Sequence, residues 1–145
     1  MASQEREMAL DAAMLDIQGR AGRFGAPSLT DGVLSFGTTA IPKPDYEIVT
    51  QVQSDFGCHA SIFVAKGDGF VRATTNLFRD HHRALNTDLD PTGPVIGPIK
   101  AGLSYRGPAD ILGEAHDTYY EPILDSDGAV IGAFLVAFIP EAPRE

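Results

Sequence analysis

The longest apolar run of the chain lies near its C-terminal end and predicts a buried central strand. Residues 129–139 are apolar at every position, which is typical of a strand covered on both faces of its sheet. Residues 118–124 are rich in aromatic and apolar side chains, and Asp-Ser-Asp-Gly at 125–128 separates the two segments. This turn sequence favours a hairpin, because Gly128 readily takes a positive φ. Pro122 cannot donate a ladder hydrogen bond, so we expect a bulge or a sheet edge close to it.

The N-terminal segment 4–20 predicts a long amphipathic helix, since its apolar side chains recur three or four positions apart. The stripe consists of Leu10, Met14, Ile17 and Ala21, widened by Met8, Ala12 and Leu15. Two interpretations stay open at this point. The stripe packs on the domain's own sheet, or part of it packs on a second copy of the chain.

The segments between this helix and the hairpin predict shorter elements. In chain order they are a Gly- and Pro-rich loop at 25–44 with an extended piece at 33–36, a short helix at 46–54 ended by Gly57, strands at 58–65 and 70–75, a polar loop or short helix at 77–89, a short helix at 95–101 and extended chain at 103–113. Sequential strands joined by short turns, with helices before and between them, predict an antiparallel sheet in an α+β fold.

The composition excludes several classes of function. The 145 residues predict one domain, and their formal net charge of −9 argues against a nucleic-acid partner. A single cysteine, Cys58, excludes an intrachain disulfide and a multi-cysteine metal site. No apolar segment reaches membrane-spanning length, and the first residues do not resemble a signal peptide. We therefore expect a soluble chain, either complete or excised from a membrane protein.

The candidate binding chemistry begins on the strand at 70–75. Its alternation predicts that Phe70, Arg72 and Thr74 share one face. An arginine and a hydroxyl two residues apart suit a carboxylate or phosphate, since one supplies a forked cation and the other a neutral donor. The alternative is that Arg72 lies across the sheet with its charged end in solvent.

No catalytic constellation is predicted. Cys58 and His59 are adjacent, so on a strand they point to opposite faces, and His81 and His82 cannot readily share one metal ion for the same reason. His116-Asp117 is a further candidate pair, but no zinc-protease, Gly-x-Ser-x-Gly or phosphate-loop motif is present. We expect no enzyme, no metal and no cofactor.

Several separated segments together resemble a known family. They are Gly-Cys-His-Ala-Ser-Ile-Phe at 57–63, Arg-Ala-Thr-Thr-Asn at 72–76, Arg-Ala-Leu-Asn-Thr at 83–87, Gly-Leu-Ser-Tyr-Arg-Gly at 102–107, Tyr-Glu-Pro-Ile at 120–123 and Asp-Ser-Asp-Gly-Ala-Val-Ile-Gly at 125–132. In this order they resemble the single Cache sensor domains, and more closely the Cache type 3/type 2 fusion branch. The chain departs from the pattern at 81–82, 86–87 and 113–117, which bears on the ligand more than on the fold.

The resemblance implies a PAS-like, five-stranded antiparallel sheet with a long N-terminal helix on one face and ligand-pocket loops and short helices on the other. It divides the chain into a signal or dimer helix at 1–24 and a ligand-binding domain at 25–145. Such domains are extracytoplasmic inputs of bacterial chemoreceptors and sensor kinases, joined to the membrane by flanking helices. A free-standing cytoplasmic Cache protein is the alternative.

The ligand that we expect is a small organic acid or similar anion, clamped by arginines and oriented by hydroxyl groups. The predicted ligand-binding residues are Arg72, Thr74, Tyr105, Arg106, His116 and Tyr120. We also expect a homodimer. A ligand-free dimerisation module is the alternative, and a haem-based sensor would need a histidine aimed into the pocket.

Overall fold

The computed structural model describes residues 3–41 and 46–140. Its elements in chain order are helix α1 (Gln4–Gly22), strands β1 (Pro27–Thr30), β2 (Val33–Phe36) and β3 (Thr39–Ala40), helix α2 (Glu47–Phe56), strands β4 (His59–Lys66), β5 (Gly69–Thr75), β6 (Phe78–Arg79) and β7 (His82–Arg83), helix α3 (Ile96–Lys100), and strands β8 (Tyr105–Ile111), β9 (Glu114–Leu124) and β10 (Val130–Phe138).

The main sheet has five antiparallel strands in the order β5-β4-β10-β9-β8. The apolar strand β10 lies at its centre, as its composition predicted. At the β9–β10 turn, the Asp125 side chain accepts hydrogen bonds from the backbone N–H groups of Asp127 and Ala129. Gly128, between these two residues, has a positive φ of 83°. The predicted hairpin is therefore confirmed.

Pro122 lies on β9 where the sheet is locally open on one side. Strand β8 pairs with β9 no further than Tyr105, which lies opposite Tyr120, so only β10 flanks Pro122. The β9–β10 register also shifts between Val130 and Gly132. Both features expected near this proline are therefore present. Proline has no N–H to donate to a neighbouring strand, so it is found on an unpaired side of a strand or at a bulge.

One face of the sheet, here called the helix face, is covered by α1, α2 and the small sheet β1-β2-β3. The predicted stripe of α1 is buried there. Its widening residues are not in the core: Met8 is 61% exposed, Leu15 is 72% exposed and Ala12 is also exposed. In α2 the predicted apolar face is buried, and Gly57 ends the helix with φ of 68°.

The predicted loop 25–44 contains more structure than one extended piece. Asp31 and Gly32 both have positive φ, at 52° and 79°, and they connect β1 to β2 as a tight hairpin. Asp-Gly is the same turn signal that the C-terminal hairpin uses. Strand β3 then pairs with β2, while residues 42–44 of the predicted loop lie outside the described residues.

The opposite face, here called the distal face, is covered by the segment 77–95 and by α3. Its core includes Phe63, Ile99, Tyr120 and Leu135. Within 77–89, predicted as a polar loop or short helix, β6 and β7 form a two-stranded hairpin. The two cores on either side of one antiparallel sheet confirm the expected α+β, PAS-like fold. The division of the chain at residues 24 and 25 stays a prediction.

Candidate functional site

A β-bulge decides which side chains of β5 face the distal side. Thr74 lies opposite Ile62, but Arg72 lies opposite Phe63, so Ala73 is an extra residue in the ladder. Ile62 belongs to the core of the helix face and Phe63 to the distal core. The prediction that Arg72 and Thr74 share a face is therefore wrong, because the bulge interrupts the two-residue alternation between them.

Arg72 lies almost completely buried on the distal face, at 2% exposure. Its Nε donates to Ser61 Oγ at 3.3 Å, and its Nη1 donates to Thr87 Oγ1 at 2.9 Å. The guanidinium carbon lies 4.7 Å from the centre of the Phe63 ring. The hydroxyl that shares this face is Thr75, whose Oγ1 lies 2.8 Å from Ser61 Oγ. Sequence alternation missed Thr75 by one position.

The charge of Arg72 has no counter-charge within the described part of the chain. Both of its side-chain hydrogen bonds go to neutral hydroxyls, and none of the ion pairs among these residues includes it. Burial lowers the pKa of Arg72, and the electrostatic interaction with Tyr120 acts in the opposite direction. Because an isolated buried charge is costly, this environment favours an added anion.

Two tyrosines lie on the same face beside this arginine. Tyr120 is 1% exposed, and its ring centre lies 6.2 Å from that of Phe63 and 6.4 Å from that of Tyr105. Burial raises the pKa of Tyr120 to about 12, and its hydroxyl has no hydrogen-bond partner among residues 3–41 and 46–140. The Tyr105 hydroxyl instead donates to the carbonyl of Pro108 at 2.6 Å. Of the predicted residues, Tyr120 thus lies near both Arg72 and Tyr105.

Arg106 lies on the helix face and does not join them. Its guanidinium contacts Glu7 at 2.9 Å and also Asp11, and it lies 4.0 Å from the centre of the Tyr119 ring. Burial alone would lower its pKa, but the bonds to these two carboxylates raise it overall. The groove of about 400 Å³ beside it is also lined by Asp117, so acidic groups line the groove and disfavour an anion. The expected clamp of two arginines does not form.

His116, the last predicted residue, belongs to a separate part of the distal face. It is buried, and its Nε2 lies 3.0 Å from Nδ1 of His59. The two rings line a cavity of about 150 Å³ that Arg72 does not line. Sequence reasoning considered His59 only beside Cys58, because nothing local signals a partner 57 positions away. Among the described residues, no group of three or more potential ligands could hold a metal ion.

Most of the chain matches one known protein family. The model described as the Cache 3/Cache 2 fusion domain matches residues 10–142. The chain belongs to this family. Cache domains are in general extracellular, non-catalytic modules that sense small molecules within signalling proteins. No helix in the described part of this Cache domain is long and apolar enough to cross a bilayer.

Comparison with solved structures agrees on the fold. The crystal structure of the A. aeolicus nlh2 GAF domain in an inactive state matches with a TM-score of 0.50 and 13% identity, over 92% of this chain and 83% of that chain. At this identity the likeness shows the fold alone. No curated protein matches the chain.

The two ends of the Cache domain are joined by Arg6, which sequence reasoning also missed. Its Nη1 lies 2.9 Å from Asp117 Oδ2 on β9 and donates to the carbonyl of Ile139 at 2.7 Å. Its guanidinium carbon lies 4.6 Å from the centre of the Phe138 ring. One side chain at the start of α1 therefore contacts both β9 and the end of β10. We call this contact set the terminal clamp.

Proposed function

We propose that the chain is the ligand-binding sensor module of a bacterial signalling receptor, and that it binds a small organic acid or similar anion on the distal face. The observation that carries the proposal is Arg72, a buried cation whose only described side-chain hydrogen-bond partners are hydroxyl groups. An anion would supply the missing counter-charge, and a carboxylate matches the forked guanidinium.

The groups around Arg72 fit the recognition of a carboxylate. Ser61 and Thr87 hold two nitrogens of the guanidinium, while Nη2 has no hydrogen-bond partner among the described residues. The free Tyr120 hydroxyl is on the same face, and the Phe63 ring neighbours both the guanidinium and the Tyr120 ring. We therefore assign Arg72 to the charge of the ligand and Tyr120 to its orientation. Thr74 and Arg106 lie on the other face and are not assigned to the site.

The segment that contains Asn86 and Thr87 is paired with the backbone of Arg72 at the edge strand β5. Asn86 and Thr87 are bonded to Arg72 through the backbone, from Asn86 N to Arg72 O at 2.9 Å and from Arg72 N to Thr87 O at 2.9 Å. Asn86 also has a positive φ of 60°. Opening of this segment would break these two backbone bonds and the bond from Arg72 Nη1 to Thr87 Oγ1, and so widen access to the guanidinium.

Transmission would follow strand β9 to the terminal clamp. Tyr120 and Asp117 lie three residues apart on this strand, and Asp117 holds Arg6, which in turn bonds Ile139. A ligand that binds one position of β9 better than another shifts the population between two arrangements of the clamp. The start of α1 would then move relative to the end of β10, which is the output that flanking membrane helices of a chemoreceptor or sensor kinase would carry.

The test is thermal unfolding of the wild type, Arg72→Met and Arg106→Met against a panel of small carboxylates, amino acids, purines and amines. A ligand at one hundred times its dissociation constant stabilises the folded state by about 2.7 kcal/mol. We expect at least one carboxylate of the panel to raise the melting temperature of the wild type and of Arg106→Met but not of Arg72→Met. A panel in which every stabilising carboxylate stabilises all three proteins equally would exclude Arg72 from binding.

A second candidate function, homodimerisation through α1, is favoured by the exposed Met8 and Leu15. They lie seven positions apart, with Ala12 between them, and so form an apolar row outside the core. Leu15→Glu should shift a dimer to monomer in light scattering without lowering the melting temperature. A monomeric wild type at all concentrations would exclude this function for the isolated chain.

A further inference from the structure

The cavity beside His59 and His116 is separate from the Arg72 site and has its own chemistry. It lies where β4 and β9 begin, on either side of the central strand β10. Its volume of about 150 Å³ is comparable to that of engineered protein cavities that bind benzene. A ligand of about six non-hydrogen atoms therefore fits.

The hydrogen bonds of the two rings fix where their protons are. Nδ1 of His116 lies 3.0 Å from the carbonyl oxygen of Glu114, which can only accept, so this nitrogen carries the proton. In the neutral ring the Nε2 of His116 must then accept, and its partner at 3.0 Å, Nδ1 of His59, must donate. The remaining nitrogen, Nε2 of His59, is left with a lone pair. It has no partner among the described residues and is not closed off from solvent.

One added proton changes this nitrogen from acceptor to donor. If the proton stays on His59, its Nε2 becomes an N–H group directly. If the charge resides on His116 instead, the bond between the rings reverses and His59 again carries its proton at Nε2. A second proton would place two donors and two positive charges 3.0 Å apart, so the pair takes up one proton only.

The rest of the cavity supplies an apolar wall. Leu77 and Ile111 belong to the distal core, and Leu112 packs against it. Leu112 occupies the β8–β9 turn with a positive φ of 51°, ahead of Gly113 with φ of 86°. Turns of this kind favour Asn or Gly at the first position. A leucine kept in this unfavourable conformation at the wall of a cavity is consistent with contact to an apolar ligand group.

The charged groups around the cavity favour an anion only after protonation. Arg79 from β6 and Glu114 from β9 line it together with the two histidines. The side chain of Arg79 makes no hydrogen bond or ion pair within residues 3–41 and 46–140. Its charge and that of Glu114 cancel, so the added proton makes the cavity net positive. Burial and the neighbouring His116 lower the pKa of His59, while Glu114 raises it in part.

From this geometry we propose that the His59–His116 cavity is a binding site for a small monocarboxylic acid, held as its carboxylate against an N–H group at Nε2 of His59. The acid supplies one proton to the histidine pair and its short carbon chain lies against Leu77, Ile111 and Leu112. The only covalent change is the transfer of this proton: the O–H bond of the acid breaks and the N–H bond of the histidine forms. The site acts beside the Arg72 site and does not depend on it. It makes the Cache domain respond to an acid together with its proton.

The test uses sodium butyrate, which has six non-hydrogen atoms, and butyramide as an uncharged analogue of the same shape. Titration calorimetry of the wild type, His59→Gln, Arg72→Met and the exposed control His82→Gln is run in two buffers of different ionisation enthalpy. We expect the wild type, Arg72→Met and His82→Gln to take up one proton per butyrate bound. Their affinity should fall about tenfold per pH unit above pH 6.5, whereas His59→Gln and butyramide should show no such binding.

Nitrogen NMR gives a readout that a structural role alone would not change. Without butyrate, both histidines should carry their proton on Nδ1; with it, Nε2 of His59 should become protonated. Butyrate binding without proton uptake would overturn the proposal, as would equal binding by His59→Gln or no binding at millimolar butyrate at pH 5.5. Binding kept in His59→Gln but lost in Arg72→Met would assign butyrate to the Arg72 site instead.

Discussion

Replacing Arg72 by methionine should abolish binding of the proposed anion at the Arg72 site while leaving the stability of the free protein nearly unchanged. Hydrogen bonds from charged donors contribute about 1.5–3 kcal/mol each, and Arg72 makes two through its side chain. Against them stands the desolvation of a buried cation, which amounts to several kcal/mol without a counter-charge. The two effects are of similar size and opposite sign.

The partners of Arg72 keep other hydrogen bonds when it is removed. Ser61 Oγ remains 2.8 Å from Thr75 Oγ1, and Thr87 Oγ1 still donates to the carbonyl of Ala84 at 2.8 Å. No buried hydroxyl is orphaned, and methionine fills most of the space beside the Phe63 ring. We therefore expect the free energy of unfolding to change by less than about 1 kcal/mol. Removing one member of a compensated buried ion pair would instead cost about 3–5 kcal/mol.

The assay is urea unfolding of the free wild type and Arg72→Met, with equal m-values as the sign that only stability is compared. Arg106→Met is the matched control, since its ion pairs with Glu7 and Asp11 are partly exposed and should contribute less than about 1 kcal/mol. A loss of 3 kcal/mol or more in Arg72→Met would refute the reasoning. It would mean that the charge is already compensated in the free protein and is not held for a ligand.

Three further predictions concern single residues, each measured by urea unfolding. Asn76→Ala should lower the free energy of unfolding by about 3 kcal/mol, because the buried side chain makes three hydrogen bonds to backbone groups where α2 meets β4. A decrease below about 1 kcal/mol would contradict this prediction. Gly132→Ala should lower the free energy of unfolding by about 2 kcal/mol or more, since its Cβ would lie 2.2 Å from the carbonyl oxygen of Phe63. The control Gly19→Ala, which places its Cβ in open space on α1, should raise the free energy of unfolding by about 0.5–1 kcal/mol. The pKa of His59 is lowered in the folded protein, so the unfolded chain binds more protons just below pH 6.5. The free energy of unfolding of the wild type, relative to that of His59→Gln, should therefore fall as the pH drops from 7.5 to 5.5. A difference that stays constant over this pH range would contradict the prediction.

Local sequence patterns were sufficient for the elements of the fold and for its central strand. The helical stripe predicted α1, Gly57 predicted the end of α2, and the Asp-Gly turn with the apolar run after it predicted the β9–β10 hairpin. These features depend on side chains within one or two turns or along one strand, so short-range periodicity and turn chemistry specify them. The resemblance of separated segments to the Cache family added the order of the layers.

The composition of the candidate site depended on contacts between distant parts of the chain. The bulge at Ala73 exists only in the pairing of β5 with β4, and it moved Thr74 to the helix face. Arg106 was directed to α1 by carboxylates about one hundred positions earlier. His59 met His116 because β4 and β9 flank the same central strand. Periodicity along one segment carries no information on register or on a partner in another segment, so these placements were decided by the tertiary structure alone.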